Sequence, residues 1–390
     1  MLDTQKQQDN DFSLLANLKD DFPAGIAVFL VSVPLSLGIA LASGAPLFSG
    51  LITGIVGGLV VAPLSGSALG ISGTAAGLSL IVLPAIQSLG FSAFLFAALI
   101  AGLLQIVMGL MRSGVVAYYV PSSVTSGMLS GIGILILLKQ IPHAIGYDQD
   151  YEGDFSYIQN DDYSTFTELF HMLNEFQPGS VLIAVVSLAI LLVWELPVMQ
   201  RRRFCQLVPA PLVVVFSSVV MNELLRYFIP ALALGGMSLV SIPVVEDIPS
   251  LLQQLHFPDF NERANPQVYL VGLTIAVVAS LETLLAVEAV DKLDPYKRIT
   301  PSDKELIAQG VGNICSALLG GLPMTQVIVR SSINVQSSAK TKMAGIINGA
   351  LLLLAILLIP TFLNKIPLAS LAAILLVVGY KLATQVDFKT

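Results

Sequence analysis

Apolar residues run along this chain in long blocks cut by short polar stretches. Twelve blocks can be drawn, at 24–42, 47–64, 74–90, 91–111, 115–138, 179–197, 206–228, 266–290, 304–320, 326–339, 343–362 and 366–383. Most are near the roughly 20 residues that a helix needs to cross about 30 Å of hydrocarbon. The pattern predicts an all-α polytopic membrane protein. Two blocks, 74–90 and 326–339, are short, and each follows a Gly- or Pro-containing break.

The polar stretches carry a charge pattern that orients the spans. With the N-terminal segment 1–22 (Lys6, Lys19) on the cytoplasmic side, the inside loops hold Arg112, Arg201, Arg202, Arg203, Lys292, Lys297, Arg298, Lys304, Lys340, Lys342, Lys381 and Lys389. The outside loops hold only Lys139, Arg226, Arg263 and Lys365, and the extracytoplasmic loop 140–178 has eight acids and no Lys or Arg. That asymmetry is the positive-inside bias of a multi-pass membrane protein with a cytoplasmic N-terminus. A second extracytoplasmic loop falls at 229–265. The halves on either side of it are 23–228, with seven spans, and 266–390, with five.

Composition agrees. Charged residues make up 12% of the chain and apolar residues 55%, at a mean hydropathy of +0.82, where a soluble domain carries about a quarter charged residues. The net charge of −7 comes from acids placed in loops and points to no nucleic-acid partner. Cys205 and Cys315 form neither a metal spacing nor a disulfide framework and read as packing residues. The histidines, His143, His171 and His256, fall in the outside loops. With no Cys/His metal cluster, nothing points to an enzyme. The first 20 residues lack the apolar core of a signal peptide.

The two short blocks are the informative ones. They read "LGISGTAAGLSLIVLPAI" (69–86) and "GGLPMTQVIVRSSINV" (320–335). A short span led by a breaker marks a discontinuous helix, and two in corresponding positions suggest an inverted repeat with a site at mid-membrane. A half-helix that starts there aims free N–H groups and a positive dipole end into the protein. Ser72, Gly73, Thr74, Ala75 and Ala76 are small enough for a ligand to approach that backbone. Gln326, Val327, Ile328, Val329 and Arg330 open the second half-helix. Arg330 is the sole charge from Leu306 to Ala339. Intramembrane charges face cavities or partners, so the two ends together predict an anion site. The carboxylate placed to answer Arg330 is Glu282, the sole charge between Arg263 and Glu288 and mid-span in its block. It could pair with Arg330, carry a proton, or hold a sodium ion with the hydroxyls of Thr283 and Thr325.

Several stretches resemble the SulP family of inorganic anion transporters, the sulfate-permease type. Residues 20–67, "DDFPAGIAVFLVSVPLSLGIALASGAPLFSGLITGIVGGLVVAPLSGS", look like its opening, and "ISGTAAGLSLIV" fills the place of its broken third span. "SLETLL" is similar to its acidic motif in the eighth span, and "VRSSINVQSSAKTKMAGI" to the segment that opens its tenth. The resemblance covers nearly the whole chain, in order. It implies 7+7 inverted repeats, a core domain moving against a gate domain, and an anion held between spans three and ten. The run "FLVSVPLSLGIALASGAPLF" is most similar to a bacterial branch associated with carbonic anhydrases, which puts bicarbonate ahead of sulfate and chloride. A functional link to carbonic anhydrase and a homodimer belong to the same expectation. The chain departs from the family at three positions. Val329 replaces the serine before the arginine, Leu35 the glutamine after the first-span proline, and Ala286 a hydroxyl four residues after the acid. The family also has fourteen spans and often a soluble STAS domain, whereas this chain stops at Thr390, so the second repeat is expected to be incomplete and to carry no STAS domain.

The resulting expectation is a secondary active transporter of a small inorganic anion, with proton or sodium coupling and elevator-like alternating access. Sulfate, chloride or dicarboxylate transport, or an anion channel on the same scaffold, are the alternatives. A nucleobase-type permease fits less well, because a planar neutral ring has no use for the Arg330 charge. A non-transporting sensor would use the acidic loop 140–178 as a partner surface, but such loops are usually just solvated.

Overall fold

A computed structural model describes residues 17–114, 122–147, 176–200, 210–240, 255–358 and 360–384. Most of the acidic loop, Arg201 to Arg203, Cys205 and His171 lie outside these residues. The helices are α1 (Leu18–Ala42), α2 (Leu47–Val56), α3 (Ala76–Leu89), α4 (Phe91–Leu110), α5 (Ser122–Ile145), α6 (Pro178–Glu195), α7 (Ala210–Phe228), α8 (Pro266–Leu293), α9 (Ser302–Leu318), α10 (Ile328–Gln336), α11 (Met343–Leu358) and α12 (Leu368–Thr384). A π-helical turn, Gly57–Val61, carries α2 on to Leu64. The two strands are β1 (Ser72–Thr74) and β2 (Met324–Gln326). The order helix, helix, strand, short helix, helix therefore occurs twice, at 18–110 and at 266–358.

Six described helices are long and apolar enough to cross a membrane: those starting at Leu18, Leu47, Phe91, Pro178, Ala210 and Pro266. α3 has 14 residues and α10 only 9. At 1.5 Å per residue, α10 covers about 13 Å, less than half the hydrocarbon thickness. Both therefore need the strand that precedes them to complete a crossing.

One span differs from its expected bounds. The fifth apolar block, 115–138, leaves Lys139 and His143 in a loop. Instead α5 runs to Ile145 and buries both side chains. The polar pair Lys139-Gln140 reads as an end in the sequence. Yet Ala144 beyond it packs with Ile183, Ala184, Leu234, Ala369 and Ala372, and that apolar contact carries the helix through Pro142.

The chain divides into two compact units. One comprises Met1–Pro121 and Val245–Leu354, the other Ser122–Val244 and Ala355–Thr390. Each unit takes segments from both sequence halves. In the second, α12 packs along α5 and α6, and α7 packs on α6. Asn222 pairs both backbone groups of Leu234, accepting from its N–H at 2.8 Å and donating to its carbonyl at 3.2 Å. Lys381–Glu195 at 2.5 Å and Lys365–Glu223 at 3.1 Å add ion pairs.

The first unit holds α1 to α4, α8 to α10 and most of α11. Lipid tails are as apolar as leucine, so close backbone packing rather than hydrophobicity holds membrane helices together. Here glycines supply that closeness. A Cβ on Gly58 would lie 2.4 Å from the Cα of Gly349, and one on Gly102 would lie 2.7 Å from the carbonyl of Gly310. These contacts join α2 to α11 and α4 to α9. At the start of α1, buried Asp21 accepts from the N–H groups of Lys340 (2.7 Å) and Thr341 (3.0 Å) and from the Thr341 hydroxyl. That clamps the segment following α10. Beside it Lys340 meets Asp20 at 2.7 Å, and this bond raises the pKa of the lysine.

Candidate functional site

Non-helical backbone inside a membrane survives only where protein groups satisfy it. β1 and β2 do this first for each other. They pair antiparallel, with Ser72 opposite Gln326, Gly73 opposite Thr325 and Thr74 opposite Met324, and all six residues are buried. The backbone on either side is satisfied by side chains. Asn313 of α9 accepts from the Met324 N–H at 2.6 Å and donates to the Met324 carbonyl at 3.1 Å. Thr53 accepts from the Leu322 N–H at 2.7 Å, and Ser316 donates to the Leu322 carbonyl at 2.8 Å. Ser331 accepts from the Ile71 N–H at 2.9 Å, and Asn334 donates to the Leu69 carbonyl at 2.9 Å. Two breaks in the apolar pattern thus become one buried ribbon.

A half-helix leaves each strand. α3 starts at Ala76 behind Ala75, and α10 at Ile328 behind Val327; neither preceding residue caps its helix with a side-chain hydrogen bond. In α3 the Leu78 N–H turns back to the Ala75 carbonyl at 3.2 Å, and the other first-turn N–H groups have no side-chain cap. Such ends favour negative charge. Arg330 sits in the first turn of α10, where a cation is opposed by the dipole, and it is fully buried.

The surroundings of Arg330 define the site. Its Nη2 donates to the hydroxyls of Thr74 at 2.8 Å and Ser36 at 3.0 Å. Its Nη1 lies on the bare backbone of Gly73, where a Cβ would come within 2.2 Å. Nε and Nη1 make no hydrogen bond, and neither does either amide atom of Gln326. Among the described residues no carboxylate forms a salt bridge with Arg330. A guanidinium buried with only neutral hydroxyl partners is electrostatically uncompensated. An anion is the species that would compensate it.

Glu282 does not pair with Arg330, contrary to one of the sequence expectations. Its carboxylate lies instead against the first turn of α3, where a Cβ on Gly77 would be 3.2 and 3.3 Å from its two oxygens. The reason is electrostatic: a helix N-terminus attracts a carboxylate as a cation would. Thr283 is buried with its hydroxyl unpartnered. The Thr325 hydroxyl donates to the Gln326 carbonyl at 3.2 Å. No hydrogen bond joins Thr283 or Thr325 to Glu282 among the described residues. Those residues also hold no cluster of three His, Cys, Asp or Glu. Of the other expected site residues, Ala75, Ile328 and Val329 are buried, and Ala76 is half-buried at the mouth of α3.

Two contributions escaped the sequence reading. Ser36, a partner of Arg330, is one small residue among many in α1. The other is the polar stripe Glu305, Gln309, Asn313 and Ser316 on α9, all fully or nearly fully buried. Its spacing of four, four and three places it on one helix face, a signal visible within the 304–320 block.

The sulfate permease family pattern matches residues 18–389. YvdB of Bacillus subtilis is 29% identical over 371 residues, 95% of this chain and 66% of its own. The bicarbonate transporter BicA of Picosynechococcus is 25% identical over 372 residues, 93% of this chain and 61% of its own. The chain thus spans less than two thirds of the length of these relatives. The solved transmembrane domain of a cyanobacterial BicA superposes with a TM-score of 0.63 at 25% identity, covering 96% of this chain and 90% of that domain. The chain is a membrane protein of the sulfate permease family.

Proposed function

We propose that the protein is a secondary active transporter that carries bicarbonate across a bacterial inner membrane, with its N-terminus in the cytoplasm. The carrying observation is the buried Arg330 guanidinium, with Nε and Nη1 unbonded beside two uncapped helix ends. Ser72 to Ala76 and Gln326 to Arg330 line the anion site in this reading. Glu282, set against the first turn of α3, is the coupling group. It takes up a proton, or a sodium ion with Thr283 and Thr325, as the anion arrives. The element order repeated in the two sequence halves supports a 7+7 inverted-repeat architecture and elevator-like alternating access. A homodimer and a functional link to carbonic anhydrase complete the proposal.

Bicarbonate is placed first because BicA, a bicarbonate transporter, aligns along most of the chain. Sulfate is the second reading, favoured by the family pattern itself. Proteoliposome uptake of labelled bicarbonate, sulfate, chloride and dicarboxylates, with and without sodium and proton gradients, separates them. Accumulation of bicarbonate above its external concentration, driven by one of the two gradients, is the expected result. Downhill flux alone would mean a channel, and preferential accumulation of sulfate would reassign the substrate.

A further inference from the structure

Glu305 is fully buried on α9, outside the set of residues assigned above to the anion or the coupling ion. Its Oε2 accepts from the Ser65 hydroxyl at 2.5 Å and the Gly66 N–H at 3.1 Å. Its Oε1 accepts from Nε2 of Gln309 at 2.9 Å, and the same Nε2 donates to the Ser72 hydroxyl oxygen at 2.6 Å. Gln309 is also fully buried, and its Oε1 has no partner.

The order of these bonds fixes their polarity. With Oε2 taking the Ser65 hydroxyl and the Gly66 N–H, Oε1 faces the NH₂ end of the Gln309 amide and accepts from it. The reverse orientation would set the amide oxygen against Glu305. The second amide hydrogen then goes to Ser72, whose oxygen becomes an acceptor on that side. The Ser72 proton is left to donate elsewhere. Ser72 stands on β1 opposite Gln326, whose buried amide is unbonded. We infer that Glu305 and Gln309 are positioning residues that hold the Ser72 hydroxyl as a hydrogen donor to the bound anion. This inference rests on the anion-transport reading above.

A double-mutant cycle tests it. Uptake of ¹⁴C-bicarbonate and ³⁵S-sulfate is measured in proteoliposomes for the full chain, Ser72→Ala, Glu305→Gln and the double variant. A glutamine at 305 can present either end of its amide, so it no longer dictates the orientation of Gln309. Each single substitution should raise KM about tenfold or more, the worth of one hydrogen bond to a charged group, with Vmax preserved. The double variant should be no worse than Ser72→Ala alone, because the relay acts only through that hydroxyl. Independent, multiplying losses, or a loss confined to Vmax, would overturn the relay while leaving the anion site standing. If the native protein carries neither anion, the functional reading and the relay fall together. Should Glu305→Gln fail to reach the membrane folded, Gln309→Met breaks the relay at its middle and is judged by the same cycle.

Discussion

Arg330 donates to the Thr74 hydroxyl at 2.8 Å, joining the first turn of α10 to the strand that leads into α3. The two residues are separated by 256 positions in sequence. Through this bond the two half-helices share one charged group, and its remaining N–H groups are available to a ligand. A single guanidinium can thus both hold the ribbon and recognise an anion.

Gly73 is where this arrangement is most exposed to a small change. A methyl group there would lie 2.2 Å from Nη1 of Arg330, so the guanidinium must shift and its bonds to Thr74 and Ser36 are strained. Gly73→Ala should weaken anion affinity about tenfold or more, since a hydrogen bond to a charged group is worth about 1.5–3 kcal/mol. The apparent KM for labelled anion reads this. An unchanged KM would mean that Arg330 adapts without consequence.

Asn313 has a different duty. It satisfies both backbone groups of Met324 inside the membrane. Asn313→Leu keeps the branched shape and orphans both, at about 1–3 kcal/mol each. A marked fall in thermal stability in detergent is expected. A melting temperature equal to that of the native protein would show that the ribbon does not depend on this side chain.

Glu282 is predicted to carry coupling rather than anion recognition. Glu282→Gln imitates the protonated acid and keeps the contact at Gly77. Concentrative uptake should disappear while anion exchange at equal concentrations persists. If the variant still accumulates anion against its gradient, coupling lies elsewhere.

The charge asymmetry makes a topological prediction. Cysteines placed at Asp154 and at Arg202 should react with an impermeant reagent from opposite sides of the membrane, Asp154 from outside. Labelling from the same side would reverse or break the assigned topology.

The six long spans, starting at Leu18, Leu47, Phe91, Pro178, Ala210 and Pro266, were legible in the sequence because a membrane imposes a length on apolar runs. Breaks before Ala76 and Ile328 were legible as well, since Gly and Pro interrupt a helix whatever surrounds it. The Arg330 environment was legible only in part. A lone charge in an apolar block announces a site, but it does not reveal which hydroxyls it meets, and Ser36 lies 294 positions away. For Glu282 the sequence left a partner in Arg330 and one in a backbone amide both open, and the carboxylate lies against the backbone at Gly77. Lys139 misled because a polar pair resembles a helix end when the apolar partners of Ala144 are hidden in distant segments. The α9 stripe was written plainly at 305, 309, 313 and 316, yet its purpose depends on two strands that three-residue stretches of sequence do not betray.

The central claim is that Arg330 binds the transported anion. The direct measurement is equilibrium binding of ¹⁴C-bicarbonate and ³⁵S-sulfate to the purified full chain and to Arg330→Ala, with folding of both checked by thermal unfolding. Removing a charge-assisted hydrogen bond worth about 1.5–3 kcal/mol should weaken binding by about tenfold or more in a variant that remains folded. Equal affinity in a folded Arg330→Ala would contradict the account and leave the arginine a purely structural tie between α10 and β1.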